Sequence, residues 1–214
     1  MDSTKWLLFA VVALISILSP GPAVLLAISN SVRFGLRRVI YSSMGNAVGV
    51  FLVSGLAMAG LGALLKTSAL LFAALKLLGA GYLIYLGFRQ WKSQTNLFAS
   101  DSQTQHQPQP QRSNQQLFLQ GITLALTNPK AILFFTALFP QFIDDTHALM
   151  PQFMILTLTF MTISFCSLMM YGLLARSTRS WFSSGNHAQW FNRVSGSLFI
   201  VLGIGLLRLK NTRS

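Results

Sequence analysis

The sequence predicts an all-α membrane protein of six transmembrane helices, arranged as two inverted three-helix repeats with a broken first helix in each half. Of its 214 residues, 52% are hydrophobic and 9% are charged, and the mean hydropathy is +0.55. An ordinary soluble domain carries about 25% charged residues. The apolar residues gather in six runs, each close to the roughly 20 residues that a membrane-spanning helix needs. The first three runs and the last three also share short motifs, which predicts the repeat.

The six predicted spans cover residues 6–32, 39–65, 69–88, 117–143, 150–175 and 190–209. The first run follows Lys5 as a secretory signal does, but its apolar character continues after Pro22 and no small-residue cleavage site interrupts it. We therefore expect an uncleaved span. A polar segment at 93–116, with eight glutamines, cannot bury enough apolar surface to fold alone. The sequence thus predicts a first repeat at 1–92, a cytoplasmic linker at 93–116 and a second repeat at 117–214, within one membrane domain.

The net charge of +12 reflects residues that flank the apolar runs. Such a charge suggests nucleic acid in a soluble protein, but here it indicates membrane topology and contact with lipid. The first, third and fifth loops are basic, whereas the fourth has no lysine or arginine and carries Asp144 and Asp145. Odd-numbered loops are then cytoplasmic and both termini external. The basic C-terminal tail argues against this orientation and leaves a five-span alternative open.

The two halves resemble each other in sequence. Residues 18–25 can be laid on residues 126–133, although the prolines leave the register ambiguous by one residue. Because each half holds an odd number of spans, the second must be inverted relative to the first. Inverted repeats with broken helices are typical of secondary transporters, whose substrate site lies near the middle of the membrane.

Two proline motifs lie inside apolar runs. Ser19-Pro20 and Asn128-Pro129 each resemble a helix start, with a side-chain acceptor at the N-cap and proline at the first helical position. A helix that restarts within the membrane exposes free N–H groups that suit a substrate carboxylate. The alternative is that each proline only kinks a continuous helix. The predicted carboxylate end of the site comprises Ser19, Pro20, Gly21, Pro22, Asn128, Pro129 and Lys130.

Lys130 is the only charged residue between Arg112 and Asp144. A central lysine costs roughly 2.5 to 3.5 kcal/mol on insertion scales, so it indicates a function. Its ammonium could bind the carboxylate of an amino acid. It could equally snorkel toward the membrane surface or pair with backbone carbonyls that a helix break exposes.

A polar stripe runs along the fifth span. Thr157, Ser164, Ser167 and Tyr171 are spaced to share one face, which either meets substrate or bonds to other helices. Ser164, Tyr171 and Asn46 are predicted to contact substrate. Gly45 and Gly49, which flank Asn46, form a small-residue face that predicts close helix packing.

The predicted spans contain no aspartate or glutamate, and their one cysteine is Cys166. An ion or metal permease would need carboxylate, histidine or cysteine ligands there, so no metal site is predicted. No cofactor and no catalytic residue are predicted either, because no nucleophile–base arrangement occurs within the spans. Two alternatives to a transporter of organic substrates stay open: a channel or an ion or metal permease, and a non-transporting membrane interaction protein, which would not require paired breaks.

At these motifs the chain resembles the LysE/RhtB family of amino-acid exporters. The resemblance rests on residues 19–22, 79–87, 126–131, 138–143 and 196–199, and the last two segments look most like the homoserine/threonine branch. It implies a multi-pass protein of the bacterial inner membrane that exports small amino acids or their derivatives, and a homo-oligomer is compatible with it. Some members carry an acidic residue in the fifth span, whereas the region around Ser164 has none. The coupling ion is therefore left open.

Overall fold

The computed structural model describes residues 3–19, 21–65, 112–144 and 146–175, together with separate positions between 77 and 92 and between 189 and 205. The predicted linker lies almost entirely outside these residues, as do large parts of the third and sixth predicted spans. The described elements are helical: α1 (Ser3–Leu18), α2 (Pro22–Phe34), α3 (Leu36–Leu65), α4 (Asn114–Thr127), α5 (Pro129–Leu133), a π-helical segment (Phe134–Leu138), a 3₁₀ segment (Phe139–Phe142) and α6 (Leu149–Leu173).

Two of these helices are long and apolar enough to cross a membrane. They are Leu36–Gly60 of α3 and Leu149–Leu173, which forms α6. The other apolar helices form two bent pairs: α1 meets α2 at 55°, and α4 meets the segment Pro129–Phe142 at 51°. If each bent pair is one span, four spans lie in the described chain. The chain is a membrane protein, and its first and fourth predicted spans are both broken, as the proline motifs predicted.

Local sequence explains where several helices begin and end. Gly35 separates α2 from α3 with φ of 85°, a conformation that side chains with a Cβ rarely adopt, and its N–H donates to the Ser31 carbonyl. The helix α4 begins with a capping box in which Ser113 and Gln116 bond each other's backbone N–H groups. The predicted single run at 117–143 is thus several short helices.

The second broken helix ends in a cluster of aromatic rings. Beyond α5 the chain widens into the π-helical segment and then narrows into the 3₁₀ segment at Pro140. This change of pitch turns several rings toward α1 and α6, where ring centroids lie 4.7 to 6.2 Å apart. The cluster contains Phe9, Phe134, Phe135, Phe139, Phe142, Phe153 and Phe160. It fixes this end of the fold by edge-to-face packing.

Glycines allow α3 and α4 to pack closely. A Cβ at Gly49 would lie 2.6 Å from the Ala125 Cβ, and one at Gly45 would overlap the Phe118 carbonyl oxygen. A Cβ built on Gly121 of α4 would likewise overlap the Ser42 carbonyl oxygen of α3. The predicted packing role of Gly45 and Gly49 is therefore confirmed.

Spans that the predicted repeat would pair lie against each other and run in opposite directions. For the first and fourth spans, Lys5 pairs with Asp144 at 3.3 Å, and farther along the two spans the Ser19 carbonyl oxygen accepts a hydrogen bond from Lys130. For the second and fifth spans, Val39 lies against Gly172 and the Phe51 ring against that of Phe153.

The third and sixth predicted spans meet in the same way. A Cβ built on Gly203 would lie 2.9 Å from the Ala80 carbonyl oxygen, and one on Gly196 would lie 2.9 Å from the Trp91 amide nitrogen. Residue numbers increase along one span in the direction in which they decrease along the other. The two spans are therefore antiparallel, as in the two preceding pairs.

Candidate functional site

The first helix break differs in detail from the prediction. Ser19 was expected to cap a helix that begins at Pro20, but α2 begins at Pro22 and its N-cap is Gly21, in an extended conformation. Ser19 instead ends α1, and its N–H donates to the Ile15 carbonyl at 3.2 Å. The reason is Pro22, which disfavours helical backbone at the residue before it. Pro20 lies outside the described residues.

This start of α2 has no side-chain cap. Gly21 cannot accept a hydrogen bond through a side chain, so the cap supplies nothing to the first amides of the helix. Such amides carry the positive end of the helix dipole.

The second break matches its prediction. Asn128 is the N-cap of α5, its side chain accepts from the Lys130 N–H at 3.1 Å, and Pro129 occupies the first helical position. When the two helix starts are aligned, Pro22 corresponds to Pro129 and Gly21 to Asn128. This pairing differs from both registers inferred from the sequence, which place Gly21 or Pro20 opposite Pro129. The two breaks are alike in backbone and different in capping.

Lys130 joins the two breaks. Its Nζ donates to the Ser19 carbonyl oxygen at 2.6 Å, across 111 residues of sequence. The Tyr171 hydroxyl donates to the neighbouring Leu18 carbonyl oxygen at 2.8 Å. Terminal carbonyls of α1 are thereby satisfied by side chains from other helices. Of the alternatives for Lys130, the structure supports pairing with a carbonyl that the break exposes.

A cavity of about 50 Å³ lies beside the two breaks. Its polar wall contains Ser16, Ser19, Gly21, Asn46, Asn128, Lys130 and Ser164. Its apolar wall contains Ile17, Ala23, Val24, Val50, Ala131, Phe160 and Leu168. The cavity has room for roughly four water molecules.

A polar pair joins α3 and α6 in the wall of the cavity. The Asn46 amide donates to the Ser164 hydroxyl at 3.3 Å, and both residues are buried. The predicted stripe on α6 does face the interior, because Thr157, Ser164, Ser167 and Tyr171 are all buried. Ser164 is the stripe residue that lines the cavity.

The structure thus brings together six of the predicted site residues at the cavity: Ser19, Gly21, Asn46, Asn128, Lys130 and Ser164. Pro22 and Pro129 begin the two helices, and Tyr171 binds the backbone at the first break. Contact of each with a substrate stays a prediction. Sequence reasoning missed Ser16, a buried cavity residue that lies almost one helical turn before Ser19. The i, i+3 spacing of the two serines was the available signal.

A second polar network lies at the end of the fold where α1 begins. Gln152 of α6 accepts from the Asp144 N–H at 2.9 Å and donates to the Asp144 and Ala148 carbonyls at 2.8 and 3.1 Å. The Thr146 hydroxyl and amide both donate to the Asp144 carboxylate. These bonds, with a smaller contribution from Lys5, hold the pKa of the Asp144 carboxyl far below its usual range. The network holds the loop that precedes α6.

Comparisons with known proteins agree with this architecture. The family described as LysE type translocator matches residues 14–210. An uncharacterized membrane protein of Vibrio cholerae serotype O1 is 35% identical over 97% of both chains. A homoserine/homoserine lactone efflux protein of Salmonella typhimurium is 34% identical over 92% of this chain and 93% of its own. A leucine efflux protein of Klebsiella pneumoniae is 35% identical over 76% of this chain and 74% of its own.

No solved structure matches the chain. The family match covers nearly the whole sequence, including both helix breaks and every described residue that lines the cavity. The chain therefore belongs to the LysE family of translocators.

Proposed function

We propose that this protein is a secondary transporter that exports small neutral amino acids or their derivatives across the bacterial inner membrane. One observation carries the proposal: the two helix breaks meet at a polar cavity, where Lys130 of one break binds the Ser19 carbonyl of the other. Discontinuous helices that meet inside the membrane are the usual substrate site of secondary transporters.

The proposed architecture is a six-span, multi-pass fold made of repeats 1–92 and 117–214, joined by the linker 93–116. Its support is that three pairs of corresponding spans lie side by side and antiparallel. An inverted repeat with its two-fold axis in the membrane plane relates each span to an antiparallel counterpart. Alternating access then consists of one broken helix and its neighbours rocking against the other.

The first break offers complementary groups to an α-amino acid. The uncapped start of α2, at Gly21 and Ala23, suits a carboxylate, because free amides and the helix dipole both favour an anion. Two residues earlier, the Ser19 carbonyl suits an ammonium. The α-carboxylate and α-ammonium of an amino acid are attached to the same carbon atom, so one substrate can reach both the Ser19 carbonyl and the first amides of α2.

The remaining wall suits a short, uncharged side chain. Ile17, Val50, Phe160 and Leu168 supply apolar contact, while Asn46 and Ser164 can bond a hydroxyl. Among the described residues of the wall, none is acidic to hold a basic side chain. The names of the efflux relatives, homoserine/homoserine lactone and leucine, fit the same size range.

Uptake of radiolabelled amino acids into inside-out vesicles tests the proposal. We expect uptake of homoserine, threonine or leucine, and far less of arginine and glutamate. Homoserine should compete better than its lactone, which keeps the ammonium but lacks the carboxylate. Absence of uptake for every compound would refute the exporter proposal, and equal competition would refute carboxylate binding at α2.

Ser164 and Ser167 provide a matched pair of variants on α6. Both are buried to 6% exposure, but Ser164 lines the cavity and Ser167 does not. We expect Ser164→Ala to raise the KM for hydroxylated substrates relative to leucine, and Ser167→Ala to leave that ratio unchanged. Equal effects of the two substitutions would remove Ser164 from the proposed site.

A further inference from the structure

We propose that Lys130 carries the proton that is exchanged for the substrate. The inference rests on the proposed export function and supplies its missing coupling group. Binding of the substrate ammonium at the Ser19 carbonyl displaces the Lys130 ammonium, which then loses a proton to water.

The first argument is the distribution of titratable groups. All four acidic residues of the chain, Asp2, Asp101, Asp144 and Asp145, lie outside the predicted spans, and so do its three histidines. The usual carriers of a proton within the membrane are therefore missing from the spans.

The second argument is what faces Lys130 from each element around it. The cavity wall presents Ser16, Ser19 and Ile17 from α1, Gly21, Ala23 and Val24 from α2, Asn46 and Val50 from α3, Asn128 and Ala131 at the second break, and Phe160, Ser164 and Leu168 from α6. Among these described residues, Lys130 carries the only charge. The neighbouring titratable group is the Tyr171 hydroxyl, which donates to the Leu18 carbonyl.

The third argument is the position of the ammonium itself. Lys130 Nζ lies 2.6 Å from the Ser19 oxygen and 3.9 Å from the place of a Cβ built on Gly21. It thus occupies the position that we assign to the substrate ammonium, beside the amides that we assign to the carboxylate. A second cation at this carbonyl would face Lys130 at close range within a largely apolar wall, where repulsion between like charges is strong.

Lysine can relieve this repulsion, because an ammonium can deprotonate whereas a guanidinium cannot. The step breaks one N–H bond: Lys130–NH₃⁺ becomes Lys130–NH₂, and the proton passes to water on the side from which the substrate entered. The neutral amine then accepts a hydrogen bond from the substrate ammonium. After the substrate leaves on the other side, Lys130 takes a proton from that side and returns to the Ser19 carbonyl. One proton enters the cell for each substrate exported.

Proton release on binding tests the inference. The purified full-length protein in detergent is titrated with homoserine in buffers of different ionisation enthalpy, so that calorimetry reports protons released per substrate bound. We expect about one proton for the wild type at a pH where Lys130 is charged, and an affinity for homoserine that rises with pH. Lys130→Met should bind homoserine and release no proton, whereas Lys130→Arg keeps a fixed charge at the Ser19 carbonyl and should bind homoserine much more weakly. Lys92→Met alters an exposed lysine and should behave as the wild type.

Flux measurements keep the test decisive if a variant binds weakly. In proteoliposomes, the ratio of proton to substrate flux should be near one for wild type and near zero for the residual flux of Lys130→Met. Wild-type binding without proton release, or an unchanged ratio in both Lys130 variants, would overturn the inference. A wild type that binds and transports no amino acid would instead overturn the proposed function.

Discussion

Two glycines on the same helix should respond in opposite ways to the same substitution. A methyl group at Gly49 of α3 would lie 2.6 Å from the Ala125 Cβ and 2.9 Å from the Ile122 carbonyl oxygen, so α3 and α4 must separate. Overpacking of this kind costs about 1 to 3 kcal/mol, less the helix propensity gained. A methyl group at Gly55 meets nothing within 4 Å, so Gly55→Ala gains only the propensity, roughly 1 kcal/mol.

We therefore expect Gly49→Ala to be less stable than Gly55→Ala by about 1 to 3 kcal/mol, because the propensity gain is common to both. Thermal unfolding of the purified variants in one detergent, followed by size-exclusion chromatography, measures the order. The unfolding temperature of the wild-type protein should lie between those of the two variants if the cost of overpacking at Gly49 exceeds the gain in helix propensity. If Gly49→Ala is as stable as Gly55→Ala, the close packing of α3 on α4 described above is wrong.

Three further predictions concern topology and the loop before α6. In a Cys166→Ala background, cysteines at Arg112 and Thr146 should react with impermeant reagents from opposite sides of the membrane, and labelling from one side would refute the antiparallel arrangement of the broken helices. Because the pKa of the Asp144 carboxyl is depressed in the folded protein, its contribution to stability is present above the unfolded pKa of 3.8 and is lost as the pH falls through the folded pKa. Asp144→Asn should therefore remove part of this acid sensitivity, which unfolding measured at a series of pH values would show. Gln152→Leu leaves the Asp144 N–H and loop carbonyls without their buried partner and should lower the free energy of unfolding by about 1 to 3 kcal/mol; an unchanged melting temperature would show that the loop holds itself.

Local sequence signals predicted several parts of the site because the responsible interactions are local. Asn128 and Pro129 form an N-cap signature within three residues, and the backbone follows it. The stripe on α6 was predictable because helical periodicity places its residues on one face. At the first break, two prolines compete to define the helix start. The sequence analysis placed the start at Ser19-Pro20, whereas the helix begins at Pro22 with Gly21 as its N-cap.

Other features depend on contacts that no local pattern contains. The partner of Lys130 lies 111 residues away, and Tyr171 reaches a carbonyl 153 residues away. The π-helical and 3₁₀ segments after α5 follow from ring packing against α1 and α6 as well as from Pro140. An apolar run at 117–143 shows only that the segment is buried, because its periodicity does not report changes of helical pitch.

The two breaks differ in capping, and the proposed mechanism assigns a different role to each. In the second half, Asn128 already occupies the Lys130 amide, whereas in the first half Gly21 leaves the helix start without a side-chain cap. If the proposed repeat and the proposed role of Lys130 are correct, the first copy would bind the substrate and the second would supply the charge that moves. Substrate specificity and proton coupling would then depend on residues in different halves of the protein. Substitutions could therefore change one property without changing the other.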